Sequence, residues 1–361
     1  MGLLTLLLGR IMSPEFVERF YSRGLFIGVR WLFTGLTSWW PFAAVYSVIP
    51  IILVWFFWRR RSIMEFFGGL FWQGRGAFAN NNRPLHLRIG RVLHSLLAFA
   101  AAVVFLFQWI WGFNYGRIPL EERMGIQPRP LNVNELRDEL LAVTTDVLRT
   151  RALLQIGPDT VVAEQQLTPN SEERMRNTLQ RILLEGDYPT PGQVRVRTMV
   201  PKGLLLRFST AGVYFPFTGE GHVDAGLHHL QRPFVLAHEL SHAYGFGDEG
   251  TCNFLAYLAC TRYGDTYLQY IGYLYYWRYV ASEYLRMAPS EYEQFKKSLP
   301  PGLRADVQAI NREMNKYPDI LPELRDAAYN TYLQSQGIEE GMKNYDRVVM
   351  LVAAWRKQSV K

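Results

Sequence analysis

Two long runs without a charged side chain constrain this chain more than any other feature. Residues 41–58 (PFAAVYSVIPIILVWFFW) hold 18 uncharged positions, and residues 92–113 (VLHSLLAFAAAVVFLFQWIWGF) hold 22. A helix rises about 1.5 Å per residue, so either run can cross a hydrocarbon layer about 30 Å thick. Trp39 and Trp40 precede the first run, and Trp109 and Trp111 stand near the end of the second, where indole rings favour the membrane interface. Between the runs, residues 59–91 carry seven Arg against one acid, Glu65, a local excess of +6 in a chain of net charge +7. Such a loop is held on the cytoplasmic side. The expected protein is therefore multi-pass in a bacterial inner (cytoplasmic) membrane, with its large C-terminal part in the periplasm. The basic block lies beside the membrane, which argues against nucleic acid as a partner.

Five segments follow from this reading. Residues 1–40 form an N-terminal interfacial segment, with 25–40 amphipathic around Arg30. Residues 41–58 and 92–113 are the two spans, 59–91 the cytoplasmic loop, and 114–361 an extracytoplasmic domain. The start, MGLLTLLLGR, lacks the basic leader and small-residue site of a cleaved signal. Helical spacing is expected over 134–152 and 171–185. Residues 194–199, 204–208, 212–217 and 222–225 are rich in β-formers, with a hairpin turn at 218–221. After Gln231 the chain reads as mainly helical. The two cysteines, Cys252 and Cys260, lie eight residues apart on one expected helix. About 12 Å of helix separates them, too far for a bridge.

The chemistry concentrates at His238-Glu239-Leu240-Ser241-His242, an HExxH. Positions four apart share a helix face, so both imidazoles can reach one metal ion, with Glu239 beside them as general base. Pro233 suits a first helical turn, and Gly245 and Gly247 suit a stop. A hydrolytic zinc site needs a third protein ligand and one open position. Glu249 is the favoured candidate and Asp248 the alternative, which would complete HExxHxxGxxD, a variant of the metzincin spacing. Asp248 is also a natural N-cap, and Glu249 a natural first-turn carboxylate. Glu249 and Asn253 together give ExxxN, which resembles the ExxxD of gluzincins, where the Glu is a ligand and the later residue steadies a ligating His. Tyr214, Tyr270, Tyr273 and Arg278 are candidates for stabilising an oxyanion. His222, His228 and His229 are expected to be surface or hydrogen-bonded residues.

The chain also resembles a group of uncharacterised bacterial membrane proteins sharing a domain of unknown function. The matching stretches are WGFNY at 111–115, YFPFTGE at 214–220, the HExxH, NFLAYLAC at 253–260 and YIGY at 270–273. That resemblance implies a zincin-like peptidase and leaves the substrate open. The expected fold is α+β: two N-terminal transmembrane helices followed by a mostly helical zincin-like metallopeptidase domain with a small β-sheet. The expected function is a membrane-anchored, zinc-dependent metallohydrolase, a peptidase acting on a peptide or protein substrate. Its zinc would be held by His238, His242 and Glu249, with Glu239 catalytic. The alternatives are a metal-binding but inactive envelope scaffold and a non-peptidase zinc amidase.

Overall fold

The computed structural model describes residues 2–48, 50, 53, 54, 57, 85–164, 171–338 and 347–359. The helices that matter here are α1 (Gly2–Ile11), α2 (Phe26–Thr37), α3 (Leu85–Ile110), α4 (Val133–Leu153) and α5 (Ser171–Glu185). After the strands β1 (Arg195–Met199), β2 (Gly212–Phe215) and β3 (Glu220–Asp224) come α6 (Arg232–Ala243), α7 (Glu249–Tyr263), α8 (Thr266–Met287) and α9 (Pro289–Ser298). The chain then forms α10 (Pro301–Met314), α11 (Pro322–Ser335) and α12 (Arg347–Ser359). The result is a mostly helical α+β protein with one small mixed sheet.

The sheet order is β1-β3-β2. β3 pairs in parallel with β1, from Arg195 opposite Glu220 to Met199 opposite Asp224, and antiparallel with β2, from Gly212 opposite Val223 to Phe215 opposite Glu220. All five β3 residues are buried, as a central strand covered on both faces requires. β2 is left as an edge. Residues 204–208, expected to be extended, turn instead into a short 3₁₀ segment at Leu206–Phe208. The cause is Asp224, whose buried carboxylate accepts from the amides of Gly203, Leu205 and Leu206 and so draws that stretch into a loop.

Beneath the sheet lies α6, buried at every position from Pro233 to Ala243. It is central because the sheet, α5, α7 and α8 all pack on it. Capping residues set the ends of its neighbours: Asp248 accepts from the Thr251 amide at the start of α7, and Asp265 from the Leu268 amide at the start of α8. α4 opens with a capping box between Asn132 and Glu135 and packs along α8, where Trp277 Nε1 donates to Thr144 Oγ1 at 2.9 Å. Cys252 and Cys260 are both buried and unbridged.

One helix among the described residues, not the two expected, is long and apolar enough to cross a membrane: Leu93–Ile110 within α3. Very little of it is covered by protein, and Leu97 and Phe99 are 71% and 68% exposed. The other expected span, 41–58, is described only in part. Its first residues dock on the sheet: the Ala44 amide donates to Glu220 Oε2 at 2.7 Å, and Ala43 and Ala44 are buried. Trp40, just before it, accepts from Arg197 Nη2. Residues 58–84, most of the Arg-rich loop, lie outside the described residues.

The segment before it is a structural part of the domain on one side and apolar on the other. Val17, Tyr21 and Phe26 form a second small core with Trp111 and Phe113. Glu18 is buried against Arg23, Arg117 and Arg123. Arg30 is 4% exposed, its guanidinium between the rings of Phe26 and Tyr244.

Candidate metal centre

The HExxH lies on α6 as its spacing requires, and α7 crosses directly after a tight turn. Gly245 makes that turn with φ +90°, and a side chain there would collide with Phe26 and Asn114. The crossing brings His238, His242 and Glu249 into one buried group that could hold a metal ion. Oε2 of Glu249 lies 3.1 Å from Nε2 of His238 and 3.4 Å from Nε2 of His242, and the two Nε2 atoms are 3.1 Å apart. Ligands about 2.0–2.1 Å from a zinc ion at tetrahedral angles stand about 3.3–3.4 Å apart, so the donor set fits.

The partners of the two rings strengthen that fit. His242 Nδ1 donates to the Phe246 carbonyl at 2.8 Å, and His238 Nδ1 donates to Asn253 Oδ1 at 2.8 Å. With both protons on Nδ1, each Nε2 presents a lone pair. Unless one Nε2 carries a proton, two lone pairs and a carboxylate oxygen converge there at hydrogen-bond distance. A cation between them removes that repulsion. Asn253 thus steadies a candidate ligand, as its ExxxN spacing suggested.

Glu249 belongs to this group and Asp248 does not. Asp248 caps α7 and accepts from Arg347 Nη1 at 2.9 Å. Burial pushes the Glu249 carboxyl up, but His242 and His238 outweigh it and hold the group well below the usual carboxylate range. Its other oxygen, Oε1, accepts from the Tyr329 hydroxyl at 2.8 Å.

Glu239 has the opposite balance. Burial raises its carboxyl to about 7, against the pull of His238 and His242 and with a small push from Glu249. Its Oε2 is buried without a hydrogen-bond partner among the described residues. Edge strand β2 passes close by: a Cβ on Gly212 would lie 2.5 Å from Glu239 Oε1.

Of the oxyanion candidates, Tyr214 is near, its ring 5.5 Å from that of Trp111, which in turn is 6.1 Å from the His242 ring. Tyr270 is committed elsewhere, to buried Asp306 at 2.5 Å, and Tyr273 packs on Tyr257 and Arg278 on Tyr275. His222 is buried on β3, while His228 and His229 stack on each other and His229 Nε2 meets the Val162 carbonyl. None of the three joins the group. Sequence reasoning missed Trp111 as part of the centre, although WGFNY was singled out. It also missed Tyr329 and Tyr332 of α11, for which no local signal exists. Trp111 Nε1 donates to the His242 carbonyl at 2.9 Å, and the hydroxyls of Tyr115 and Tyr332 are 3.1 Å apart.

Compared with known proteins, residues 21–353 match the family described as "Protein of unknown function (DUF3810)". No curated protein and no solved structure matches this chain.

Proposed function

The chain belongs to that family of unknown function, so its activity has to be argued from the centre itself, and we propose a zinc-dependent hydrolase that cleaves peptide bonds. The observation that carries the reading is the convergence of His238 Nε2, His242 Nε2 and Glu249 Oε2 next to the unpartnered carboxylate of Glu239. Three protein ligands with one position left over is the pattern of catalytic rather than structural zinc. Zinc held there supplies Lewis acidity toward a carbonyl and acidifies water.

The remaining work falls to the side chains. Glu239 accepts a proton from the attacking water and returns it to the departing amine. Its raised proton affinity suits a group that must both take and give a proton near neutrality. Asn253, the Phe246 carbonyl and Tyr329 hold the three ligands in place. The edge of β2, paired with no further strand among the described residues and lying beside Glu239, offers main-chain donors and acceptors to an extended peptide, which favours a polypeptide over a compact amide. Tyr214 stands on that strand and can reach a developing oxyanion.

The test is elemental analysis of the full chain, with turnover of peptides measured alongside. About one zinc per chain is expected, lost in His238→Ala and in His242→Ala. Glu239→Gln should keep the zinc and lose hydrolysis. Metal that survives both histidine changes, or full turnover in Glu239→Gln, would defeat the proposal.

A further inference from the structure

The metal centre is fastened to the end of the apolar helix without a linker. Trp111 follows Ile110, the last residue of the span, and it donates to the His242 carbonyl and packs on the His242 ring. One turn earlier, Phe107 packs on Tyr332, whose neighbour Tyr329 holds Glu249. Gln108 Nε2 donates to Gln336 Oε1 at 2.9 Å, and the Tyr21 hydroxyl donates to the Trp109 carbonyl at 3.0 Å. α1 runs beside the same helix, with Gly9 against Phe113 and Gln108. α6, through the His242 carbonyl, and α11, through Tyr332 and Gln336, are therefore both fastened to the end of α3 and the residue that follows it.

Length fixes where that end must lie. From Arg91, its last charged residue, to its end at Ile110, α3 runs 19 uncharged residues, and at about 1.5 Å each these make about 28 Å, close to the hydrocarbon thickness of a bilayer. Little apolar length is left over, so Ile110 lies at the hydrocarbon boundary, with Trp109, 42% exposed, at the level where indoles collect. The N-terminal segment is also apolar on its outer side. Phe16, Phe20, Trp31, Leu32, Trp39 and Phe42 are each at least 49% exposed, although the segment that carries them buries Val17, Tyr21, Phe26 and Arg30 against the domain. Apolar residues of this size, continuous in sequence with a buried layer and next to a span end, match a lipid surface.

Resting on the peptidase reading, we infer that the substrates are membrane-tethered polypeptides, cut where they leave the bilayer. The ligands sit at headgroup depth, so a bond carried by a tether is presented to them at high local concentration. A freely dissolved peptide must instead partition into that layer first.

Two measurements on the full chain in phosphatidylcholine–phosphatidylglycerol nanodiscs test this. The first places a nitroxide on β2 through Val213→Cys, a position 38% exposed, while native Cys252 and Cys260 are fully buried and stay unlabelled. Its accessibility to oxygen and to a water-soluble nickel chelate should report headgroup depth. Bulk-water accessibility would overturn the inference, whatever the activity. The second offers the zinc-loaded chain a degenerate heptapeptide library capped with either palmitoyl or acetyl groups and counts new amino termini. The palmitoyl form should be cut at least ~10-fold faster, as expected when tethering raises the effective concentration. Equal rates would overturn the substrate inference and leave the peptidase reading intact. Headgroup depth with neither library cut would instead defeat the peptidase reading while the placement stands.

Discussion

At Glu249 and Asp248, two neighbouring carboxylates have separate jobs, and substitution should separate them. Glu249→Gln replaces an anionic donor with a neutral amide and should weaken zinc binding by more than the ~10–100-fold typical of residues that only orient a ligand. Asp248→Asn should bind zinc nearly normally, since Asn caps a helix about as well as Asp. Tyr329→Phe removes the donor to Glu249 Oε1 and should fall in between, at ~10-fold. Zinc titrations of the three variants at one pH decide this, and a collapse only in Asp248→Asn would reverse the assignment. His222 gives an independent prediction about stability. Burial moves its imidazole from 6.5 down to about 4, with the Val213 backbone opposing and the Arg197 charge adding to the fall. The unfolded chain takes up this proton near pH 6.5 and the folded chain only near 4. Stability should therefore drop as pH falls through that window, by about 3 kcal/mol in all. In His222→Gln, urea midpoints should fall less between pH 7 and 4. Parallel profiles for the two proteins would rule this histidine out as the cause.

At the level of elements, the site depends on how closely β2 approaches α6. Gly212 permits that approach, because any side chain there meets Glu239 Oε1 and the His222 carbonyl. Gly212→Val should leave zinc content unchanged and reduce turnover at least ~10-fold by displacing Glu239 from its place, since small misplacements of a reacting group are costly. Unchanged turnover would mean that β2 does not shape the reacting position. The crossing of α6 and α7 is steadier. It combines a helix buried at nearly every position with a cap at Asp248 and a turn at Gly245 that other residues would strain. α11 differs in that it brings Tyr329 and Tyr332 to the centre through a few hydroxyl and ring contacts.

For the whole molecule, the N-terminal segment packs into the domain and should unfold together with it. A fragment beginning at residue 115 would lose Trp111, which holds the His242 carbonyl, and Glu18, which gathers Arg117 and Arg123. It would also lose Phe26, packed against the turn at Gly245. Such a fragment should melt well below the full chain, or show no cooperative transition, in calorimetry; matching transitions would show that residues 1–114 are dispensable to the fold. Orientation is a separate matter, expected from the arginines at 59–91. A reporter active only outside the cytoplasm should work when fused after Asn114 or at Lys361 and fail near Asn81. The reverse pattern would move the centre to the cytoplasmic face.

The features legible in the sequence are those whose physics is local. The HExxH was readable because a helix places residues four apart on one face whatever surrounds it. The capping residue Asp248, the helices around 134–152 and 171–185, and the apolar run ending near Trp111 are legible for the same reason: each needs only its own neighbours or the solvent. Glu249 could be proposed but not separated from Asp248, since either carboxylate fits the spacing and only the crossing of α6 and α7 selects one. Tertiary structure alone decided the rest. Residues 204–208 have the composition of a strand, yet Asp224, about twenty positions later, takes their amides. Residues 41–48 begin an apolar run, yet Glu220 captures the Ala44 amide and ties them to the sheet. Arg30 looks like a surface charge and is instead enclosed by Phe26 and Tyr244. Tyr329 reaches Glu249 from 80 residues away. In each case the deciding partner is distant in the chain, and a side chain's own periodicity carries no information about which distant group will meet it once the chain has folded.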